Sequence, residues 1–485
     1  MEFEQREKLI YFLKDAEGKF PVQEWKIEGV RAWPIIKTSV FFVSYEKKEV
    51  AQKSIKKYFI NFLKLMKLNV LYSFICLKTL KFKKIDFLFS GFFGHRVLFE
   101  KFFYNRYFDP IMDYLESHGY KSKIFEYEKM QGSIHYRQDR VFDATKLIHY
   151  FKFKNKNIDI DFEKLEGFSE LMQEFENQMK ISTSEILERI SSEFNNALSW
   201  KNLWLTVIDK SKVQNVFVLC YYNSKMYGLI LAAKERNILS VDMQHGGQSD
   251  FNCAYNFSSL PQDGYELLPD YFWTWDKVSA NNIFKFTQNS THNVIVGGNP
   301  WINFLKNKSI FLDNKKVILY TLQTTQTPVL HPYIIDGIKN TPEEYTWWLR
   351  LHPRMTDIEI STLHEQLKNE NLIDRVEIEK ASRLPLPLIL AQCSAHISHF
   401  SGSILEADLM NIKVNVVIDK IGKKFFKKIL DEKRAFYFDP LTELNLFTFI
   451  QNCIVDQESS IEKLVEEMDY FEAIKIFTNE KFISQ

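Results

Sequence analysis

Leu239-Ser240-Val241-Asp242-Met243-Gln244-His245-Gly246-Gly247 is the stretch on which the fold turns. It reads as a short apolar strand running into a polar turn closed by two glycines. Asp242, Gln244 and His245 would then stand at the carboxyl end of the strand, the edge where open α/β sheets bind ligands. Glycine, lacking Cβ, admits positive φ and lets a ligand come close to the backbone. The same letters equally describe a turn whose Asp and His satisfy their own backbone groups. The flanking sequence bears on which reading holds.

Upstream, Ile85–Ser90 is a mostly apolar run of the kind found in buried parallel strands, followed by a loop with Gly91 and Gly94. A helix over Asp109–His118 and a strand over Lys123–Tyr127 complete a βαβ unit. Residues 160–200 are amphipathic and helical. Val213–Cys220 is a strand, Met226–Arg236 a helix, and Ile238–Met243 the strand of the opening motif. A polar loop over 247–269, a strand at Tyr271–Trp275 and another at Val294–Val296 follow. Gly297-Gly298-Asn299-Pro300 then breaks the chain. The second half repeats the alternation: strands at Lys316–Thr321, Thr346–Leu351, Val376–Glu379, Ala395–Ser398 and Val414–Ile418, with a helix at Ile404–Met410 and terminal helices near 459–478. Alternating strands and helices predict a doubly wound α/β architecture. Two such halves joined near residue 300 predict two facing Rossmann-like domains with a cleft between them.

The chain has 485 residues, too long for a single core. Lys+Arg is 63 against Asp+Glu at 62, so no basic excess marks a nucleic-acid binder. The five cysteines are scattered, odd in number and form no CxxC pair, which argues against a disulfide framework or structural zinc. That usage fits a reducing cytoplasm. The opening residues MEFEQREKLIYFLKDAEGKF are charged and lack a signal-peptide core, and no apolar run is long enough to span a bilayer. Residues 1–80 read as a helical extension in which Trp25 and Trp33 are packing residues. From Lys47 to Lys84 there are eleven lysines against one acid, Glu49, interleaved with Tyr58, Phe59, Phe62, Leu63, Leu65 and Met66. Such a helix either packs its apolar face on the body or lies on an anionic membrane surface.

Three strand ends carry chemistry. Besides the Asp242–Gly247 turn, Arg350-Leu351-His352-Pro353-Arg354 places Arg350 and His352 on one strand face, suited to a phosphate or carboxylate. His399-Phe400-Ser401-Gly402-Ser403-Ile404-Leu405-Glu406 puts small hydroxyls and a glycine before a helix, whose free N–H groups bind phosphate oxygens. The same segment also reads as an ordinary cap, with Ser403 at the N-cap and Glu406 three positions on. No GxxxxGK[ST], GxGxxG or HExxH occurs. Asp159-Ile160-Asp161 alternates with Ile158 and Phe162 like an edge strand with a solvated face, so no metal is expected there.

With these residues in place, the segment Val241–Phe304 resembles bacterial surface-polysaccharide glycosyltransferases of the two-Rossmann, GT-B type. The likeness rests on Gln244-His245-Gly246, on Gly264 through Trp275, on Gly297-Gly298-Asn299-Pro300, and upstream on Tyr107-Phe108-Asp109-Pro110. His352-Pro353 and Ser401–Glu406 resemble the motifs of transferases that use CMP-linked acidic sugars. The group most similar is the retaining β-Kdo transferases of O-antigen and capsule synthesis. The resemblance implies an acceptor-binding, catalytic domain over 81–298 and a nucleotide-sugar domain over 299–485. It implies Asp242 as the nucleophile of a double displacement, with Gln244 and His245 orienting it or binding the sugar. His352, Ser401, Gly402 and Ser403 would hold the CMP phosphate, Glu406 the ribose, and Arg350 or Arg354 the sugar carboxylate. CMP-Kdo would be the donor, with no metal or other cofactor, and a glycan or lipid-linked glycan the acceptor. No nucleic acid would be bound. The place implied is the cytoplasm, at the inner face of the membrane if the basic helix docks there. Other readings stay open: a UDP- or dTDP-sugar donor with Asp242 structural, a noncatalytic scaffold in a polysaccharide assembly complex, or a polyol-phosphate transferase in which His245 and His352 matter more than Asp242.

Overall fold

The computed structural model describes residues 3–45, 59–79, 84–128, 134–306, 316–324, 326–443, 445–458 and 469–478. The chain forms two compact units. Unit 1 comprises the described residues of Met1–Arg96, Phe103–Asn299 and Met468–Gln485; unit 2 comprises those of Val97–Phe102 and Pro300–Glu467.

Unit 1 is built on a seven-stranded parallel sheet. Across the sheet the strands run Asn293–Val296, Tyr271–Thr274, Leu239–Met243, Asn215–Leu219, Phe87–Gly91, Ser122–Glu126 and Val141–Asp143. Numbered along the chain and read from Val141–Asp143, that order is 3-2-1-4-5-6-7, the doubly wound Rossmann order with one more strand at its edge. The central strands Phe87–Gly91 and Asn215–Leu219 are buried throughout, which is why they read as continuous apolar runs rather than alternating ones. The strand order reverses between these two.

The long helix Thr183–Ser211 buries Ile186, Ile190, Phe194, Ala197, Leu203 and Val207 at helical spacing. It meets the helix Ser224–Glu235 at Gly228, where a Cβ would lie 2.6 Å from Trp200 Cβ and 2.7 Å from the Ala197 carbonyl. Asn223 caps that second helix, its side chain accepting from the N–H groups of Lys225 and Met226 at 3.1 and 3.2 Å.

The N-terminal residues belong to this unit. Trp25 and Trp33 are buried edge to face at 5.8 Å in the same core as the long helix. Their indole N–H groups donate to the Glu166 carbonyl and to Glu17 Oε1, both at 2.8 Å. Glu17 also pairs with Lys37 at 2.6 Å, both side chains nearly without exposure. The chain returns to unit 1 at its far end, where Phe477 packs on Phe217 and Tyr271 and its carbonyl accepts from Asn215 Nδ2 at 3.1 Å.

Unit 2 holds a six-stranded parallel sheet in the order Val376–Glu377, Thr346–Arg350, Val317–Thr321, Ala395–Ser398, Val414–Val417 and Phe436–Tyr437. This is 3-2-1-4-5-6, again the Rossmann order, reversing between Val317–Thr321 and Ala395–Ser398. Two Rossmann-type units in one chain are the make-up of the GT-B fold.

Three details depart from the sequence reading. Ile158–Phe162 is not a strand; it is an extended segment whose Ile158 N–H and carbonyl bond the Asn195 amide at 2.7 and 3.1 Å. Asp159 and Asp161 are exposed, as the alternation predicts. The 247–269 loop is not simply polar: it buries Tyr255, Phe257, Leu260, Tyr265, Leu267 and Leu268. The basic run to Tyr58, Thr325 and residues 459–468 lie outside the described residues, as do the side chains of Phe59, Phe62, Leu63, Leu65 and Met66. No helix among the described residues is long and apolar enough to cross a membrane.

Candidate active site

In unit 1 the Leu239–Met243 strand places Asp242 beside Val218 on one neighbour and Phe272 on the other. Asp242 is fully buried. One carboxylate oxygen accepts the Tyr221 N–H at 3.2 Å and the other the Tyr255 hydroxyl at 2.6 Å. Tyr221 and Tyr222 pack edge to face on the Tyr255 ring at 5.6 and 5.8 Å, so aromatic rings cover the acid. Burial raises its pKa from the usual 3.8 to about 7, against the opposing pull of the two hydrogen bonds.

Tyr255 lies on a loop that the N-terminal helices hold. Arg6 Nη2 donates to the Phe251 carbonyl at 2.8 Å, Lys37 to the Asn256 carbonyl, and the Ser258 N–H reaches Glu17 Oε2 at 2.6 Å. The buried Glu17–Lys37 pair thereby fixes the residue that touches Asp242.

Gln244 is a bracing residue. Its N–H extends the ladder to the Trp273 carbonyl at 2.8 Å. Its amide nitrogen donates to the Gly246 carbonyl at 2.9 Å and to Ser279 Oγ at 3.1 Å, and its oxygen accepts the Trp275 N–H at 2.7 Å. These bonds set the turn that presents His245.

His245 is half-buried at the strand end. Its Nε2 is 3.3 Å from the Tyr222 hydroxyl, and its carbonyl accepts the Tyr107 hydroxyl at 3.0 Å. Nδ1 is buried without a hydrogen-bond partner among the described residues. Burial, followed by the Arg106 charge, lowers the imidazole pKa to about 4, so it is neutral near pH 7.

The loop after the first strand brings further groups to this end of the sheet. His95 is buried, accepts the Phe92 N–H at Nδ1 at 3.4 Å, and meets the Tyr107 ring edge-on at 5.9 Å. Burial, then His245, Arg106 and Arg96, hold it well below the usual imidazole range. The Arg106 guanidinium stacks over Tyr107 at 4.9 Å. Gly91 leaves room for this packing, since a Cβ there would meet His95 Nδ1 at 3.1 Å. Underneath, Arg96 pairs with Glu126 at 2.5 Å and stands 3.7 Å from Asp109, whose carboxyl burial raises to about 7. His95, Arg106, Tyr222 and Tyr255 escaped the sequence reading. The Gly91/Gly94 loop was the one signal pointing toward His95.

In unit 2 the residues gather where the strand order reverses. Thr321 Oγ1 lies 2.7 Å from Ser398 Oγ, 2.9 Å from Ser403 Oγ and 3.1 Å from His396 Nε2. His396 Nδ1 faces Asn415 Oδ1 at 2.9 Å, and burial lowers this imidazole to about 4. Ser403 is therefore an interior residue of a closed hydroxyl network.

The cap also differs from expectation. Ser401, not Ser403, accepts the Ser403 N–H at 3.2 Å, and the helix spans Ser403–Leu409. Ser401 and Glu406 are half-buried and Gly402 is exposed, with open space where a Cβ would stand. His399, which begins this segment, is held from both ring nitrogens, by the Tyr320 hydroxyl at 2.8 Å and Asp419 Oδ2 at 3.0 Å, with the His331 ring 5.6 Å away.

Arg350 and His352 have different surroundings. Arg350 Nη1 donates to the Ala381 and Leu384 carbonyls at 2.5 and 2.7 Å, closing the end of the helix Glu379–Arg383. That nitrogen serves the fold. His352 is half-buried, accepts the Arg354 N–H at Nδ1 at 3.2 Å, and has its pKa lowered by burial and by Arg354. Arg354 is exposed. Among the described residues no three His, Cys, Asp or Glu side chains converge as a metal site.

No protein-family description and no curated protein matches the chain. Among solved structures, UDP-GlcNAc 2-epimerase from Methanocaldococcus jannaschii is similar at 11% identity over 81% of this chain and 99% of its own, with a TM-score of 0.46. The UDP-GlcNAc 2-epimerase of Neisseria meningitidis, bound to UDP-GlcNAc, is similar at 16% identity over 81% and 98%, TM-score 0.42. Sucrose-phosphate synthase from Thermosynechococcus elongatus is similar at 12% identity over 77% and 91%, TM-score 0.43. These likenesses identify neither a ligand nor a reaction for this chain.

Proposed function

We propose that this chain is a GT-B-type glycosyltransferase acting on a nucleotide-sugar donor. The observation that carries the reading is a repeated one. Each Rossmann-type sheet ends, at its carboxyl edge, in a cluster of polar side chains braced by hydrogen bonds. Unit 1 presents His245 with His95 and Arg106; unit 2 presents Ser401 and the Gly402 backbone next in sequence to the braced His399, and His352 at the end of a different strand. Arg106 with two neutral imidazoles suits an anionic sugar or a leaving phosphate. The exposed backbone at Gly402 and the half-buried Ser401 suit phosphate oxygens, with Glu406 for a ribose hydroxyl.

The resemblance to β-Kdo transferases makes a CMP-linked acidic sugar the donor, a surface glycan or its lipid-linked precursor the acceptor, and Asp242 the nucleophile. As a nucleophile Asp242 must shed a proton near pH 7 and part from the Tyr255 hydroxyl, since both its oxygens are engaged and buried. That cover favours a second reading, in which a UDP- or dTDP-sugar is the donor, Asp242 is structural and His245 takes the acceptor proton. The intact mass of the protein after incubation with CMP-Kdo separates the two. A gain of one sugar, absent in Asp242→Ala, supports the first. No adduct with CMP-Kdo, and turnover of a UDP- or dTDP-sugar that is lost in His245→Ala and kept in Asp242→Asn, supports the second.

A further inference from the structure

The helix Phe59–Thr79 offers solvent an apolar face. Leu68, Leu71, Tyr72 and Ile75 are 62%, 55%, 53% and 49% exposed. Their spacing of three, four and seven residues aligns them in one stripe. The opposite side of the helix is already docked on unit 1. Leu77 and Ser73 are buried, and Ser73 Oγ donates to the Leu147 carbonyl at 2.5 Å while accepting the Tyr150 N–H at 3.1 Å. The exposed stripe is therefore a second face, separate from the one that holds the helix in place.

Charge indicates what this face meets. Lys67 and Lys78, both exposed, bracket the stripe. The helix has no Asp or Glu, and the sequence from Lys47 to Lys84 has eleven lysines against Glu49 alone. A second copy of this chain would oppose lysines to lysines. Its other face is packed on unit 1 through Ser73 and Leu77, which leaves the exposed stripe to meet a surface from the side. We infer that this face docks in the plane of an anionic lipid bilayer. The four apolar side chains enter the boundary of the acyl chains, and the lysines meet the phosphate headgroups. The inference stands independently of the transferase reading.

The test is flotation of the full chain with vesicles of phosphatidylglycerol and phosphatidylcholine, against phosphatidylcholine alone, at low and high salt. The chain is expected to float with the anionic vesicles and to be released by salt. Leu71→Ser with Ile75→Ser is expected to weaken binding by about tenfold or more. Lys67→Glu is expected to weaken it by about fivefold or more, from one lysine at an anionic surface. All three positions are exposed, so thermal melts should match the parent and exclude misfolding. Equal flotation of parent and double variant overturns the inference, as does flotation with neither vesicle. A parent that sediments as a dimer, and a double variant that does not, without vesicle binding, overturns it in favour of a copy-on-copy contact.

Discussion

Asp242→Asn is the substitution whose effect the structure fixes most sharply. Burial carries this carboxyl from 3.8 to about 7 although two hydrogen bonds favour its ionised form. A displacement of that size is worth about 4 kcal/mol between the two protonation states, and relaxation of a real interior brings the expectation to about 2 kcal/mol. Between 3.8 and about 7 the folded chain keeps the Asp242 proton and the unfolded chain loses it. Stability from this group is therefore complete below the unfolded pKa, declines as pH rises, and levels off above the folded one. Asn cannot ionise and escapes the decline. Melts of parent and variant from about pH 4.5 to about pH 8.5 should show the variant gaining about 2 kcal/mol on the parent across the range. Any change in hydrogen bonding introduced by Asn does not depend on pH and drops out of the comparison. A difference flat with pH would refute the reasoning: Asp242 would then be ionised in the folded chain throughout.

Other substitutions probe the supports around it. Tyr255→Phe removes the hydroxyl that Asp242 accepts at 2.6 Å; it should cost about 1–2 kcal/mol and push the pH dependence of stability upward, seen in the same melts. Glu17→Ala leaves the Lys37 ammonium buried without its carboxylate and should cost about 3–5 kcal/mol, whereas Glu17→Gln with Lys37→Met keeps an acceptor for the Trp33 N–H and should cost less; denaturant unfolding compares them. Gly228→Ala forces a Cβ against Trp200 and the Ala197 carbonyl, and should lower stability by about 1–3 kcal/mol. His352→Ala should weaken calorimetric binding of the donor nucleotide by about tenfold with an unchanged melt, while Arg350→Ala should lower the melt because its guanidinium holds the Ala381 and Leu384 carbonyls.

What could be read from the letters follows from periodicity. Fully buried parallel strands such as Phe87–Gly91 and Asn215–Leu219 are continuous apolar runs, and they lie where the sequence predicts. Very short edge strands, Val141–Asp143 and Phe436–Tyr437, carry too few residues for a pattern and were not foreseen. At the site, Gln244 and His245 were legible because a polar turn follows an apolar strand. Their different tasks were not, because sequence does not say that the Gln244 amide bonds Gly246, Ser279 and Trp275. Tyr255 and Glu17 were invisible for a related reason: the Asp242–Tyr255 contact and the Glu17–Ser258 contact that holds its loop join segments apart in sequence. The cap at Ser403 was misread because a hydroxyl before a helix looks the same whether it caps or, as here, bonds inward to Thr321.

The most direct measurement is nucleotide release by the purified full chain from a panel of CMP-, UDP- and dTDP-linked sugars, with CMP-Kdo generated in situ. The proposed function predicts that one class of nucleotide sugar is consumed and that His245→Ala abolishes its consumption. Absence of binding and of release across the whole panel, in a protein that melts cooperatively, would contradict a nucleotide-sugar enzyme and leave the noncatalytic scaffold as the reading.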